Sequence, residues 1–479
     1  MRLTGSPWID KSAVVKAFCG DLVQISVTTF AFRRVRPFPG VPGRPVGQSG
    51  TCITENPAPC HQDLSTQAEG WNSVLAERGA IRMKYKRKAV SLLTRGLIAS
   101  FMTGLLMSLT SVAVAGDLER RQAKRIHDRI AGVPPSDTVL TAMENAIGAN
   151  NALGAADMAM ANSAFYNVTL KNFATPWTNR DQTVFAPLND YTATVIGMIR
   201  DDVPFNQLLS ADIIYTGDPS LPIPGYDTTS NAHYQALEDG GYDLMTDLVP
   251  DQQSTVTGLP ASATAGVMTT RAAAEAFFVA GTNRAMFRFT LLNHLCNDLE
   301  QVKDTSRPAD RIRQDISRSP GGDSRIFLNS CVGCHAGMDP MAQAFAYYNF
   351  DVNSGSIEYT QGVVQPKYFI NSDTFKHGYV TPDDSWDNYW REGQNSLLGW
   401  DAGLTGSGNG ARELGIELAN SRAFASCQVK KVFKTVCLRE PGNAADRNQV
   451  DTITDNFVAN NSYNMKNVFA ETAVYCMGN

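Results

Sequence analysis

Basic residues are scarce beyond residue 115. Residues 1–115 hold 14 Lys and Arg against 6 Asp and Glu, a net of +8, which leaves 28 basic and 41 acidic residues from 116 onward, a net of −13. Binding to DNA or RNA needs a basic footprint, so this balance argues against a nucleic-acid partner. Histidine is scarcer still, with six in 479 residues. From 116 onward there is no serine triad pattern, P-loop, dinucleotide fingerprint or H-E-x-x-H, which removes the commonest hydrolytic, nucleotide-binding and zinc-protease signatures. There is no internal repeat, and no second apolar run long enough to cross a bilayer. Composition is otherwise that of a globular protein, 43% hydrophobic and 19% charged.

The front of the chain is organised differently. Lys84, Lys86, Arg87, Lys88 and Arg95 precede the uncharged stretch from Gly96 to Ala115, which ends in Ala113-Val114-Ala115. A basic end, an apolar middle and an A-x-A site are the three parts of a secretory signal peptide. The expectation is a signal peptide over 83–115, cleaved near Ala115-Gly116, with export to the periplasm. The alternative is an uncleaved membrane anchor. Residues 1–82 are Pro- and Gly-rich in parts and carry no sustained periodicity, which points to a spurious N-terminal extension ahead of a start at Met83.

The segment Ser330 to Pro340 reads SCVGCHAGMDP. Cys331, Cys334 and His335 spell C-x-x-C-H, the attachment signature of a c-type haem. Two thiols three positions apart reach two vinyl groups on one porphyrin edge and add across them as thioethers. The following His335 then offers an imidazole nitrogen to the iron. Val332 and Gly333 are small enough to let the backbone approach the ring edge. C-x-x-C alone also serves zinc sites and redox dithiols. Zinc needs further ligands, however, and the only later histidine is His377. The expected cofactor is one covalent haem c.

Around this motif the chain resembles the planctomycete-type cytochrome c-like haem-binding proteins. The resemblance is carried by C-x-x-C-H-x-x-M-D-P with Phe345, Tyr347, Tyr348 and Phe350-Asp351 after it. It extends to Pro204–Asp212, similar to a PFRELLTADY segment, and to Ser421–Glu440, similar to a late DPRFARCAVRQLFRYALGRE helix. The family pattern usually has Leu where Met341 stands, and has a Pro-rich run before the haem that is missing here. The resemblance implies a c-type haem domain, a mainly helical fold and export; it implies no substrate or pathway.

Elsewhere the patterning predicts a mainly α fold, with a helical N-terminal domain over 116–262 and a cytochrome c-like haem domain over 263–479 that includes short β-like segments. Helices are expected over 117–131, 136–147, 188–200 and, as one or two pieces, 269–299. Residues 213–262 read as a long irregular connection. Asp323 or Ser324 is expected to cap the helix entering the motif, and Asp339-Pro340 to end it. Short β-like runs are expected at Ser356–Tyr359 and Tyr368–Ile370. Three closing helices are expected at 410–420, 422–438 and 444–476, the last broken near Asn460-Asn461. Cys296, Cys427, Cys437 and Cys476 form an even set that suggests disulfides in an oxidising compartment; of the possible pairings, Cys437 with Cys476 would pin the last helix.

The sixth iron ligand separates a carrier from an enzyme. His377 stands 42 residues beyond His335, far enough for the chain to wrap the ring. Met338 and Met341 follow His335 closely; Met268, Met286, Met465 and Met477 are further candidates. Two functions remain open: electron transfer with redox partner proteins, or a peroxidase- or oxidase-type haem enzyme acting on a small molecule. The chain from 116 onward is far longer than the roughly 100 residues of a small single-domain carrier, which keeps the second open.

Overall fold

The computed structural model describes residues 116–279 and 281–478. The expected extension over 1–82 and signal peptide over 83–115 lie outside them. The fold is mainly helical, with three short two-stranded antiparallel sheets among the described residues. No described helix is long and apolar enough to cross a membrane.

Local chemistry accounts for most helix starts. Ser136 accepts from Val139 N at 3.3 Å to open Asp137–Gly148, which buries Leu140, Met143 and Ile147. Asn189 opens Asp190–Arg200, whose residues from Asp190 to Ile199 are all buried. Asp190 also reaches across to the helix Arg271–Phe277 and accepts from Arg271 N at 2.6 Å and Ala272 N at 3.0 Å. Its carboxylate thus fills orphan N–H groups of a helix 81 residues away. The largest hydrophobic cluster runs from Ala123 to Ala473, and two smaller ones gather Ile312, Ile316, Phe327, Cys331 and Val332, and Ala346, Tyr347, Val364 and Tyr368.

Several expectations are corrected. Residues 213–262 are not irregular: Ile214–Gly217 pairs with Leu248–Asp251, and Ala232–Asp239 and Gln253–Thr257 are helical. The stretch 269–299 is divided into Arg271–Phe277, Arg284–Thr290 and the π-helical Leu291–Leu295, with Asn283 left-handed between the first two. Tyr368 belongs to a 3-10 turn, Pro366–Phe369, rather than a strand. Ser356–Tyr359 is a strand, paired with Tyr348–Asp351. The closing helices are Gly410–Ala419, Arg422–Cys437, Ala444–Ala459 and Met465–Cys476, so the break near Asn460-Asn461 is present. Disulfides join Cys437 to Cys476 and Cys296 to Cys427.

Candidate functional site

The motif lies where a π-helical segment passes into an α-helix. Asp323 caps a first turn, accepting from Arg325 N at 2.9 Å. A π-helical segment, Phe327–Cys331, follows and passes into the α-helix Val332–Ala342. π-Bulges shift side chains around the helix axis and recur at functional sites. The helix does not stop at Asp339-Pro340; it continues through Pro340 to Ala342. The reason is burial, since every residue from Val332 to Ala342 is enclosed and packing outweighs the lost proline N–H. Gly337 admits the Trp390 indole, because a Cβ there would collide with it. Gly333 likewise makes room for Lys303, and its carbonyl accepts from Asp304 N at 3.0 Å.

His335 and Asp339 stand one helical turn apart and face each other. His335 Nδ1 lies 3.1 Å from Asp339 Oδ1, with the two side chains 1% and 0% exposed. An ionised carboxylate only accepts, so Nδ1 carries the hydrogen. Nε2, on the other side of the ring, is buried and without a hydrogen-bond partner, and in the neutral ring it is the lone-pair nitrogen. His127 Nε2 and His294 Nδ1 are also bare, but neither follows a thiol. His294 is held by Tyr191 Oη at 2.6 Å and lies between the Tyr191 and Phe424 rings.

Asp339 has a second partner. Arg284 Nε donates to its Oδ1 at 2.6 Å and an Arg284 terminal nitrogen donates to Oδ2 at 2.8 Å. The far side of the same guanidinium binds Asp315, one contact being 2.9 Å. Arg313 approaches Asp339 Oδ1 to 3.8 Å, donates to Thr282 Oγ1 at 2.9 Å and stacks 4.8 Å from the Tyr368 ring centre. Its Nε and one terminal nitrogen have no hydrogen-bond partner. Burial alone would raise the carboxyl of Asp339; Arg284, His335 and Arg313 overcome that and hold it well below the usual range. Burial and the same Arg284 act on Asp315, which is also lowered.

The two motif cysteines differ. Cys334 is a free thiol, buried, 3.6 Å from the Leu299 carbonyl. Burial, with Glu300 adding to it, pushes the thiol up to about 11. An activated redox thiol is shifted the other way. Cys331 is disulfide-bonded. No group of three or more His, Cys, Asp or Glu side chains gathers to hold a metal ion among the described residues. A tetrahedral zinc site therefore lacks its third and fourth ligands there, whereas a porphyrin brings four of the iron's ligands itself.

The other expected ligands are scattered. His377 sits on an exposed turn, and no described contact joins it to His335. Met338 and Met341 are buried on the motif helix itself, three and six residues after His335. Met286 lies in the adjoining helix and accepts from Thr290 Oγ1 at 3.8 Å. Met268 and Met465 are buried in the core, and Met477 is packed against it.

The His335–Asp339 contact had a sequence signal, the four-residue spacing on a helix. Arg284, Arg313 and Asp315 had none, lying 24 to 55 positions from Asp339 with no periodicity that ties them to it. No protein-family model, curated protein or solved structure matches this chain.

Proposed function

We propose that this chain is an exported c-type haem protein that transfers electrons through one haem, attached at Cys331 and Cys334 and ligated by His335. The observation that carries the reading is the His335 side chain: Nδ1 anchored on Asp339, Nε2 bare and buried, with a thiol at the preceding residue. A carboxylate behind a metal-bound histidine fixes its tautomer and orientation in this way. Bound haem would supply a one-electron ferric–ferrous couple. The chain's own residues supply two attachment sulfurs, one oriented nitrogen and a charge-balanced support behind it. The resemblance to planctomycete-type cytochromes supports the same assignment. Export is supported by the basic run, apolar stretch and A-x-A site before Gly116, and by disulfides that suit an oxidising compartment. A redox protein is the proposed partner.

One observation favours the enzyme alternative. A carboxylate on Nδ1 makes the axial imidazole more basic, which suits a ferric enzyme. Carbon monoxide separates the two. A six-coordinate reduced spectrum unchanged by the gas supports electron transfer; rapid binding, with a high-spin ferric spectrum, overturns it in favour of an open site.

A further inference from the structure

We infer that Arg284 sets the electron affinity of the iron by neutralising the carboxylate on which the axial histidine leans. This rests on the haem reading above and adds a positioning residue that does not touch the haem iron. Asp339 Oδ1 accepts from His335 Nδ1 and from Arg284 Nε at 2.6 Å, so one oxygen divides its charge between an imidazole and a guanidinium. Arg284 binds the other oxygen too, at 2.8 Å, and both side chains are almost wholly buried. In such surroundings a unit charge acts far more strongly than in water.

The physical consequence has a sign. A carboxylate facing only an imidazole N–H draws the proton toward itself, gives the ring imidazolate character and stabilises ferric iron. A guanidinium forked onto that carboxylate removes much of its basicity. The ring stays closer to neutral imidazole, and the ferrous state is favoured by comparison. Asp315 limits the effect by sharing Arg284 from the other side. Arg313, at 3.8 Å from Asp339 Oδ1, adds a second, weaker positive field. Four buried charges in two like pairs sum to zero here, so the arrangement is poised and each member can be tested separately.

The test is the midpoint potential of haem-loaded protein with four substitutions. Arg284→Gln exposes His335 to a less compensated carboxylate and lowers the potential. Asp339→Asn removes that carboxylate and raises it. Asp315→Asn leaves Arg284 wholly to Asp339 and also raises it. Arg284→Lys, which keeps the charge and loses the fork, falls between wild type and Arg284→Gln. The expected size for Arg284→Gln and Asp339→Asn is about tenfold in the ferric–ferrous equilibrium, or 59 mV for one electron.

Opposite signs at the two ends of one ion pair are what a loosened structure would not give. Shifts of the same sign, or none, in haem-loaded variants overturn this inference and leave the haem reading standing. Wild-type protein without haem overturns both. If Arg284→Gln does not fold, Arg284→Lys and Asp315→Asn carry the test, and equal potentials in those two and wild type decide against it.

Discussion

Asp339 occupies the position where stability and function meet. It is fully buried and holds Arg284 and His335 together. Removing one member of a buried pair leaves the other charge uncompensated, which costs about 3–5 kcal/mol. Asp339→Ala is therefore expected to destabilise the protein by that amount in urea unfolding. Arg422→Ala, which breaks a pair with Asp455 in which both side chains are about half exposed or more, is expected to cost below about 1 kcal/mol. Equal costs for the two would show that the central network is not the buried element described.

The adjacent acids at 383 and 384 behave differently from each other. Asp383 closes a local turn by accepting from Ser385 N and Oγ. Asp384 is raised to about 6, first by burial and then by Asp383 and Glu413. A raised carboxyl binds its proton more tightly in the native state than in the unfolded chain, which ionises near 4. Native stability therefore falls as pH rises from about 4 to 6, and the penalty stays above that. Asp384→Asn is expected to raise the urea midpoint at pH 7 and leave it nearly unchanged at pH 3.5. A variant less stable at pH 7 would contradict the assignment.

At the level of elements, the sequence was most readable where capping and periodicity agree. Ser136, Ser421, Asn443 and Asn464 each cap the helix they precede. The strands Ile214–Gly217 and Leu248–Asp251 were hidden because their partners lie about thirty residues apart in Gly- and Pro-rich sequence. π-Helical turns such as Phe327–Cys331 were also invisible, since a single turn is too short for its period to show in an apolar pattern. The disulfides tie elements the core already packs. Cys296–Cys427 joins the Leu291–Leu295 turn to the helix Arg422–Cys437, and Cys437–Cys476 joins that helix to the last one. From loop lengths of 131 and 39 residues, chain entropy assigns them about 5 and about 4 kcal/mol. The double variants Cys296→Ser/Cys427→Ser and Cys437→Ser/Cys476→Ser are expected to lose stability in that order, measured by denaturant unfolding.

Across the whole molecule, the fold class was legible. Helical periodicity and caps identified a mainly α chain, whereas long-range ties such as Asp190 capping the helix Arg271–Phe277 have no local signature. The site was legible only along its own helix. Cys331, Cys334, His335 and Asp339 share eleven or fewer residues of sequence, while the arginines behind them arrive through folding.

The central claim is a covalent bond between porphyrin and polypeptide. Its most direct test is the intact mass of denatured protein produced with a functioning cytochrome-maturation system under conditions that keep Cys331 reduced. The wild-type chain is predicted to weigh one haem more than its polypeptide, and the Cys331→Ala/Cys334→Ala variant to lose that addition. A wild-type chain at its bare polypeptide mass would contradict the account.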